Sequence, residues 1–109
     1  MEHVRLTGTT VTVLLHLLDE PDRPHYGLDI IRATGLASGT AYPVLARLTN
    51  AGWLTAEWEQ LDTSQAPRPR RRYYRLTPDA ITSAPARIAA HATPTGRQAL
   101  TRIRRTRPT

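Results

Sequence analysis

Apolar residues near the start of the chain recur every three or four positions, which is the period of an amphipathic α-helix. The members of this first stripe are Val11, Leu14, Leu15, Leu17 and Leu18. The stripe predicts a helix from Thr9 or Thr10 to Leu18, and the two prolines within residues 19–24 end it because proline cannot continue a helix. Residues 1–8 show little periodicity and predict a frayed end or a short leading helix.

A second, shorter helix is predicted over residues 25–35. Leu28, Ile30 and Ile31 are spaced to face inward on such a helix. Gly35 is suited to end it, because glycine adopts the left-handed conformation that closes many helices. The next three residues are then a tight turn into a third helix.

The third helix is predicted to begin at about Gly39 or Thr40, because Pro43 lacks an N–H group and fits in or near a first turn. Ser38 or Thr40 can cap that turn, and Gly52 stops the helix as a left-handed residue. The apolar face consists of Ala41, Val44, Leu45 and Leu48. The opposite face consists of Thr40, Pro43, Ala46, Arg47 and Asn50, with Tyr42 on the flank. Two short helices joined in this way are typical of a helix-turn-helix.

The pattern then changes to the alternation of β-strands. In residues 53–59, Leu54, Ala56 and Trp58 alternate with polar residues, and in residues 71–76 Tyr74 and Leu76 share one side. The two strands predict an antiparallel ribbon with a long tip. The basic residues at this tip are Arg68, Arg70, Arg71 and Arg72. A ribbon of this kind after three helices is the wing of a winged helix.

The remaining residues predict a helical extension broken by prolines. Thr77 and Pro78 form a helix-start signal. Residues 78–92 predict one kinked or two short helices, and residues 94–106 predict a last helix. The apolar stripe Ile81, Ala84 and Ile88 has little else to cover and predicts a dimerisation surface, formed together with the N-terminal helix.

The predicted fold is therefore mainly α with a small β-ribbon (α+β). It is a winged helix-turn-helix over residues 1–79, with the wing at about 53–76, followed by a short basic extension over residues 80–109.

Charge is distributed unevenly between the two parts of the chain. Residues 1–62 carry a net charge of −4, residues 63–109 carry +10, and every basic side chain is arginine. The Arg-only usage, with abundant Ala, Pro and Thr, also suggests a GC-rich coding genome. That bias does not explain the asymmetry of sign, which predicts a polyanionic partner, most simply nucleic acid.

Several classes of protein are disfavoured by composition. The chain has no cysteine, hence no disulfide framework, thiolate metal site or cysteine nucleophile. No apolar run approaches a membrane span and no signal pattern opens the chain, so we expect a soluble cytoplasmic protein. The four histidines are not spaced as metal ligands, and no phosphate loop, nucleophile motif or carboxylate pair indicates an enzyme. We expect neither a metal nor a cofactor.

Three motifs in order resemble those of the PadR family of transcriptional regulators. They are the segment Ser38–Leu48 continued by Ala51–Leu54, the Glu57-Trp58-Glu59 triplet, and Arg72–Thr77 after a basic wing. The segment His25–Ile30 is similar to the one that precedes the family's second helix, and the likeness spans about residues 9–79.

The resemblance implies a homodimeric, bacterial, nucleoid-associated winged-helix protein that binds double-stranded DNA, usually represses a neighbouring gene and is often released by a small molecule. Nothing in the residues indicates which effector that would be. The C-terminal run is shorter and richer in proline than the long helix that forms the dimer in larger members.

Candidate DNA-contacting residues fall in two groups. On the third helix they are Ser38, Gly39, Thr40, Tyr42, Pro43 and Arg47. On the wing they are Arg68, Arg70, Arg71, Arg72 and Tyr73. Arg47 is expected to reach a guanine edge or a phosphate rather than pair with an acid. The wing arginines are expected to contact phosphates or the minor groove.

Other interpretations remain open. Trp53, Trp58, Tyr73 and Tyr74 can stack on single strands, although packing within the small sheet is favoured. Glu57 and Glu59 are expected at an exposed edge with cross-strand arginines as partners. The function predicted is a homodimeric repressor that binds a pseudo-palindromic operator. Its alternatives are a basic RNA-binding module and a winged-helix protein-interaction domain without nucleic-acid binding.

Overall fold

The computed structural model describes residues 1–60 and 68–91. Its elements in chain order are α1 (Gly8–Asp19), β1 (His25–Tyr26), α2 (Gly27–Thr34), α3 (Ser38–Asn50), β2 (Leu54–Trp58), β3 (Arg72–Leu76) and α4 (Pro78–Ala90). The strands form an antiparallel sheet in the order β1-β3-β2, with Leu54 opposite Leu76. This arrangement confirms the predicted α+β winged helix.

One hydrophobic core joins all of these helices to the sheet. Its largest fully buried side chains come from α1, α2, α3, α4 and the start of β2, and they include Leu14, Leu17, Ile30, Leu45, Leu48, Trp53, Leu54 and Ile88. α1 packs against α2, α3, α4 and β3. The surfaces of α3 and of the ribbon are therefore held by a common interior.

The prediction for residues 1–8 was wrong. Residues 1–7, here called the N-terminal strap, lie along the core, and Val4 and Leu6 are buried in it. The Glu2 N–H donates to the Ala51 carbonyl at 2.7 Å, and Trp53 Nε1 donates to the Glu2 carbonyl at 2.7 Å. These two bonds fasten the strap to the end of α3.

The second helix is shorter than predicted because its first two residues belong to the sheet. His25 and Tyr26 form β1 and pair with Tyr74 and Tyr73 of β3. The sheet consequently has three strands, not the predicted two. Leu28 was expected to face inward but is 54% exposed, whereas Ile30 is fully buried. Gly35 ends α2 in the left-handed conformation, as predicted, with φ of 72°.

α3 ends as the sequence predicts but begins differently. Gly52 has φ of 81°, its N–H donates to the Thr49 carbonyl, and the Trp53 N–H donates to the Leu48 carbonyl. This is the Schellman arrangement, and the two buried side chains of Leu48 and Trp53 complete it. At the other end Ala37 is the N-cap and no side chain caps the helix, so the predicted cap by Ser38 or Thr40 was wrong.

α4 is a single helix with Pro85 inside it. It begins as predicted, with Thr77 as N-cap accepting from the Ala80 N–H and Pro78 at the first position. The helix predicted over residues 94–106 lies outside the described residues, and so does the centre of the wing tip, residues 61–67.

None of the helices within residues 1–60 and 68–91 has the length and apolar character that crossing a membrane requires. The same residues hold no group of three or more His, Cys, Asp or Glu side chains placed to bind a metal ion.

Candidate nucleic-acid interface

The solvent-facing side of α3 carries the residues that the sequence singled out. Its four buried residues, Ala41, Val44, Leu45 and Leu48, anchor the helix in the core. The exposed residues are Ser38, Gly39, Thr40, Tyr42, Pro43, Ala46, Arg47 and Asn50. All six α3 candidates therefore lie on one accessible face. Since most of these side chains are small, another molecule can approach the helix backbone closely.

The beginning of α3 is open to an anion. The first N–H groups of a helix have no partners within it, and no side chain caps them here. The Ala37 carbonyl accepts from the N–H groups of Thr40 and Ala41, both at 2.9 Å, which leaves the earlier N–H groups facing outward. A Cβ atom at Gly39 would meet nothing within 4 Å, so the fold itself leaves this space empty. Phosphate groups bind readily to helix ends of this kind.

Arg47 is the only basic residue of α3 and is exposed. Among the described residues the salt bridges join Arg23 to Glu20 and Arg68 to Glu59, and Arg47 takes part in neither. The guanidinium of Arg47 is thus not occupied by an acid of residues 1–60 or 68–91. Its five donors remain available to an external acceptor.

Tyr42 connects α3 to the start of α2. A Cβ atom at Gly27 would lie 3.1 Å from the Tyr42 ring and 3.3 Å from its hydroxyl oxygen, so the ring covers the Gly27 backbone. Tyr42 is still 39% exposed. The residue therefore packs against the start of α2 and also presents a surface to solvent.

Glu59 organises the arginines at the base of the wing. Its carboxylate accepts from Arg68 Nη1 at 2.7 Å, and more weakly from the Tyr26 hydroxyl and the Arg71 N–H, both at 3.4 Å. The hydrogen bond from Arg68 is the main reason that the pKa of Glu59 lies below its usual range. The same bond raises the pKa of Arg68. The expected pairing of Glu59 with an arginine is present.

Glu57 has a different partner from the one predicted. It accepts from the Tyr73 hydroxyl at 2.7 Å, and this hydrogen bond raises the pKa of Tyr73. Tyr73 is half-buried, and its hydroxyl already donates to Glu57. For the predicted contact with DNA, the hydroxyl would have to give up this hydrogen bond or share it with a DNA acceptor.

The other wing arginines lie over aromatic rings or in solvent. Arg71 stands 5.5 Å from the centroid of Tyr26, and Arg72 stands 5.0 Å from that of Trp58. Arg70 is exposed. Cation–π contacts orient a guanidinium while leaving its donors free on the outer side. The wing base therefore presents four arginines, one held by a carboxylate and two by rings.

The wing base and α2, with Tyr42 of α3, line a groove that the sequence did not reveal. Its volume is about 680 Å³, and it is lined by Leu28, Arg32 and Tyr42 on one side and by Trp58 and residues 68–72 on the other. Trp58 is 55% exposed, so the expectation that it packs within the sheet was wrong, whereas Trp53 and Tyr74 are buried as expected. Leu28 and Trp58 follow the apolar periodicity, and no signal in the sequence distinguishes them from core residues.

The residues assigned to dimerisation have a different environment from the one assumed. Ala84 is fully buried and Ile88 is 1% exposed, and both belong to the core of their own chain. The reason for placing them at a dimer surface is therefore wrong, because the protomer already covers them. Ile81 is partly buried and packs at the edge of that core.

Comparisons with known proteins agree with this architecture. The model of the "Transcriptional regulator PadR-like family" matches residues 14–82. Among solved structures, overoxidized AbfR bound to DNA is similar with a TM-score of 0.62 and 25% identity, covering 93% of this chain and 71% of that chain. For the disulfide form of AbfR the TM-score is 0.60 and the identity 26%, over 90% of this chain and only 56% of that chain.

Two further structures come from named bacteria. A transcriptional regulator from Clostridium thermocellum is 28% identical with a TM-score of 0.56, covering 77% of this chain and 81% of that chain. A PadR family transcriptional regulator from Eggerthella lenta is 25% identical with a TM-score of 0.56, over 84% of this chain and 81% of that chain. No curated protein matches the chain in sequence.

Proposed function

Because the chain belongs to the PadR-like family of transcriptional regulators, we propose that it is a homodimer that binds double-stranded DNA sequence-specifically and represses transcription. The observation that carries the proposal is the accessible face of α3, which combines small residues, an uncapped helix start and an arginine without an acidic partner in residues 1–60 and 68–91. One of the similar structures, AbfR, is itself bound to DNA. The proposal includes no enzymatic activity and no cofactor.

In this proposal α3 enters the major groove. The N–H groups at its start and the hydroxyls of Ser38 and Thr40 bind phosphates, which set the position of the helix. Arg47 reaches a base edge or a neighbouring phosphate, and Tyr42 and Pro43 contact the backbone and thymine methyl groups. The wing lies beside the helix, where Arg68, Arg70, Arg71 and Arg72 neutralise flanking phosphates.

A dimer would place two copies of α3 on successive turns of the duplex. Half-sites would then lie about 34–36 Å apart, and the operator would be pseudo-palindromic. α1, Ile81 and the residues beyond His91 are the parts of the chain we propose for the dimer contact. Cytoplasmic location and association with the nucleoid follow from the same proposal.

Selection of bound duplexes from a random pool tests specificity and symmetry together. We expect enrichment of an inverted repeat with half-site centres about 10 base pairs apart. Sedimentation of the protein at micromolar concentration should give the mass of a dimer. Random duplexes with no enriched sequence, or a monomer on DNA, would contradict the corresponding part of the proposal.

Competition with structured RNA separates the RNA-binding alternative from this proposal, since duplex DNA should compete better at equal charge. The complete absence of salt-sensitive binding would favour the protein-interaction alternative. Repression is tested by a reporter with the selected operator at its promoter. Increased expression would show activation instead.

A further inference from the structure

The chain carries a second cationic surface beside α3, on the side of the N-terminal strap. A groove of about 480 Å³ lies between the strap and the second half of α3. The residues that line it are Glu2, His3, Val4, Arg5, Thr7, Arg47, Asn50 and Ala51. None of these residues belongs to the wing, so this groove is separate from the one between α2 and the wing base.

The strap presents His3 and Arg5 outward for a geometric reason. Successive side chains of an extended segment point to opposite sides. Because Val4 and Leu6 are buried, the residues between and before them, Arg5 and His3, are exposed. The conformation of the strap that buries Val4 and Leu6 therefore also exposes His3 and Arg5.

The position of the strap is fixed relative to α3. The Glu2 N–H donates to the carbonyl of Ala51, the residue that caps α3, and the Glu2 carbonyl accepts from buried Trp53. The strap cannot leave the groove without breaking both bonds and exposing Val4 and Leu6. Arg5 is thus held beside Arg47 by the fold, and its position does not depend on a partner.

The electrostatic character of the groove favours an anion. Arg5 and Arg47 both line it, and neither is paired with a described acid. The positive end of α1 adds to them, since its first turn contains no acidic residue. Glu2 is the one acidic residue of the lining, and it is exposed to solvent.

From this arrangement we propose that Arg5 and His3 of the strap bind the phosphodiester backbone of the operator at the groove between the strap and the second half of α3, which no wing residue lines. The proposal rests on the DNA binding proposed above and adds a contact to it. In this proposal two segments beside α3 bind phosphates, namely the wing and the strap. The contact is to phosphates, so it raises affinity without reading sequence.

The test is DNA binding by an Arg5→Gln variant, measured by fluorescence anisotropy over a range of salt concentrations. The expected result is a loss of affinity of several-fold, a log–log salt slope smaller by about 0.9, and unchanged sequence preference. Arg5→Lys should keep the slope of the original protein. Because Arg5 is exposed, both variants are expected to unfold at the original temperature.

Arg23→Gln is the matched control. Arg23 is an exposed arginine that follows the far end of α1, and the 12 residues of that helix separate it from the strap by about 18 Å. Its guanidinium is already paired with Glu20 at 2.8 Å. DNA affinity and salt slope should be unchanged in this variant.

Hydroxyl-radical footprinting locates the contact. Arg5→Gln should lose protection at one set of phosphates of the half-site, and Arg70→Gln should lose it at a different set. An Arg5→Gln variant with unchanged slope, or with losses at the wing phosphates, would overturn the strap contact and leave the DNA-binding proposal intact. Failure of the unaltered protein to bind any duplex would overturn both.

Discussion

At the scale of single residues, substitution of Arg47 distinguishes base readout from backbone binding. If its guanidinium bonds two acceptors of one guanine, Arg47→Gln should weaken binding to the selected operator by roughly 1–3 kcal/mol and relax preference at a single base pair. The measurement is competition binding against operators altered one base pair at a time. Asn50→Ala, a change on the same face nearer the end of α3, should have a smaller effect.

The pattern of loss decides between the two roles of Arg47. A uniform loss across all operators, with a flatter salt dependence, would assign Arg47 to a phosphate. Unchanged affinity in both tests would contradict its presence at the interface.

His16 is the residue through which the fold should respond to acid. It is half-buried on α1, with its ring 5.4 Å from that of His25. Burial first, and the charge of His25 second, lower the pKa of His16 from the usual 6.5, although Asp19 acts in the opposite direction. The folded chain therefore binds a proton at His16 less readily than the unfolded chain does.

The linkage has a defined sign. Above pH 6.5 the neutral ring is present in both states and stability is complete. As the pH falls below 6.5 the unfolded state takes up the proton first, so the free energy of unfolding should decrease. Denaturant titrations between pH 5 and 7 should show this slope, and His16→Gln should reduce it. His3→Gln, at an exposed site, is the control. A slope in His16→Gln equal to that of the original protein would contradict the assignment to His16.

At the scale of elements, the wing base contains a carboxylate that would compete with a DNA phosphate for an arginine. The Glu59 carboxylate accepts from Arg68 Nη1 at 2.7 Å, and it would have to be replaced as the partner of this arginine for Arg68 to bind a phosphate as proposed. Glu59→Gln should therefore release a full cation, tighten binding to all duplexes and steepen the log–log salt slope by up to about 0.9. Salt-dependent anisotropy measures both effects.

Glu57→Gln provides the control for the wing. Glu57 lies two residues earlier on β2 and bonds Tyr73 rather than an arginine. Glu59 directly follows that strand, so replacing Glu57 removes the same charge from the same part of the chain without freeing a guanidinium. Equal gains in both variants would indicate a general electrostatic effect and contradict a specific competition by Glu59.

The elements that could be predicted are those whose pattern is local. α1, α3 and the β2–β3 ribbon bury residues at regular spacing. Gly52 ends α3 because glycine readily adopts the left-handed conformation found there. β1 could not be predicted, since two residues become a strand only when β3 lies beside them. The strap has just Val4 and Leu6 as its apolar signal, which is too short a period to distinguish from chance.

The candidate site was predicted unevenly for the same reason. The exposed face of α3 follows directly from the burial of the opposite face, so Arg47 and Gly39 could be placed. The roles of Glu59 and Trp58 depend on which arginine lies across the sheet, and sequence spacing does not determine this. Leu28 has inward periodicity on α2, yet the short helix turns it toward the groove beside the wing.

At the scale of the whole molecule, α4 belongs to the core as well as to the extension. Ile88 is 1% exposed within the core, and Arg87 lies 5.4 Å from the centroid of the Trp53 ring. Ile88→Ala should lower the free energy of unfolding by about 2–5 kcal/mol at every protein concentration. Ile81→Ala at the core's edge should cost less, and a loss that is present at high protein concentration but disappears on dilution would place Ile81 in a dimer contact.

Chemical denaturation at two protein concentrations distinguishes these outcomes. A concentration-dependent loss in Ile88→Ala would show that burial within the protomer is not its main role. The unevenness of charge also acts at this scale, because residues 1–62 carry a net charge of −4 while residues 68–75 alone hold five arginines and no acid. A polyanion should therefore approach from the wing side.

The two tryptophans of the chain lie in opposite environments, and this gives the protein two optical reporters. Trp53 is fully buried and Trp58 is 55% exposed. Emission should therefore contain a blue component that iodide does not quench and a red component that it does. DNA binding at the wing should shield the red component alone, whereas unfolding should shift the blue one. A Trp58→Phe variant would assign the two signals, and no fluorescent label would be needed to follow folding and binding in one sample.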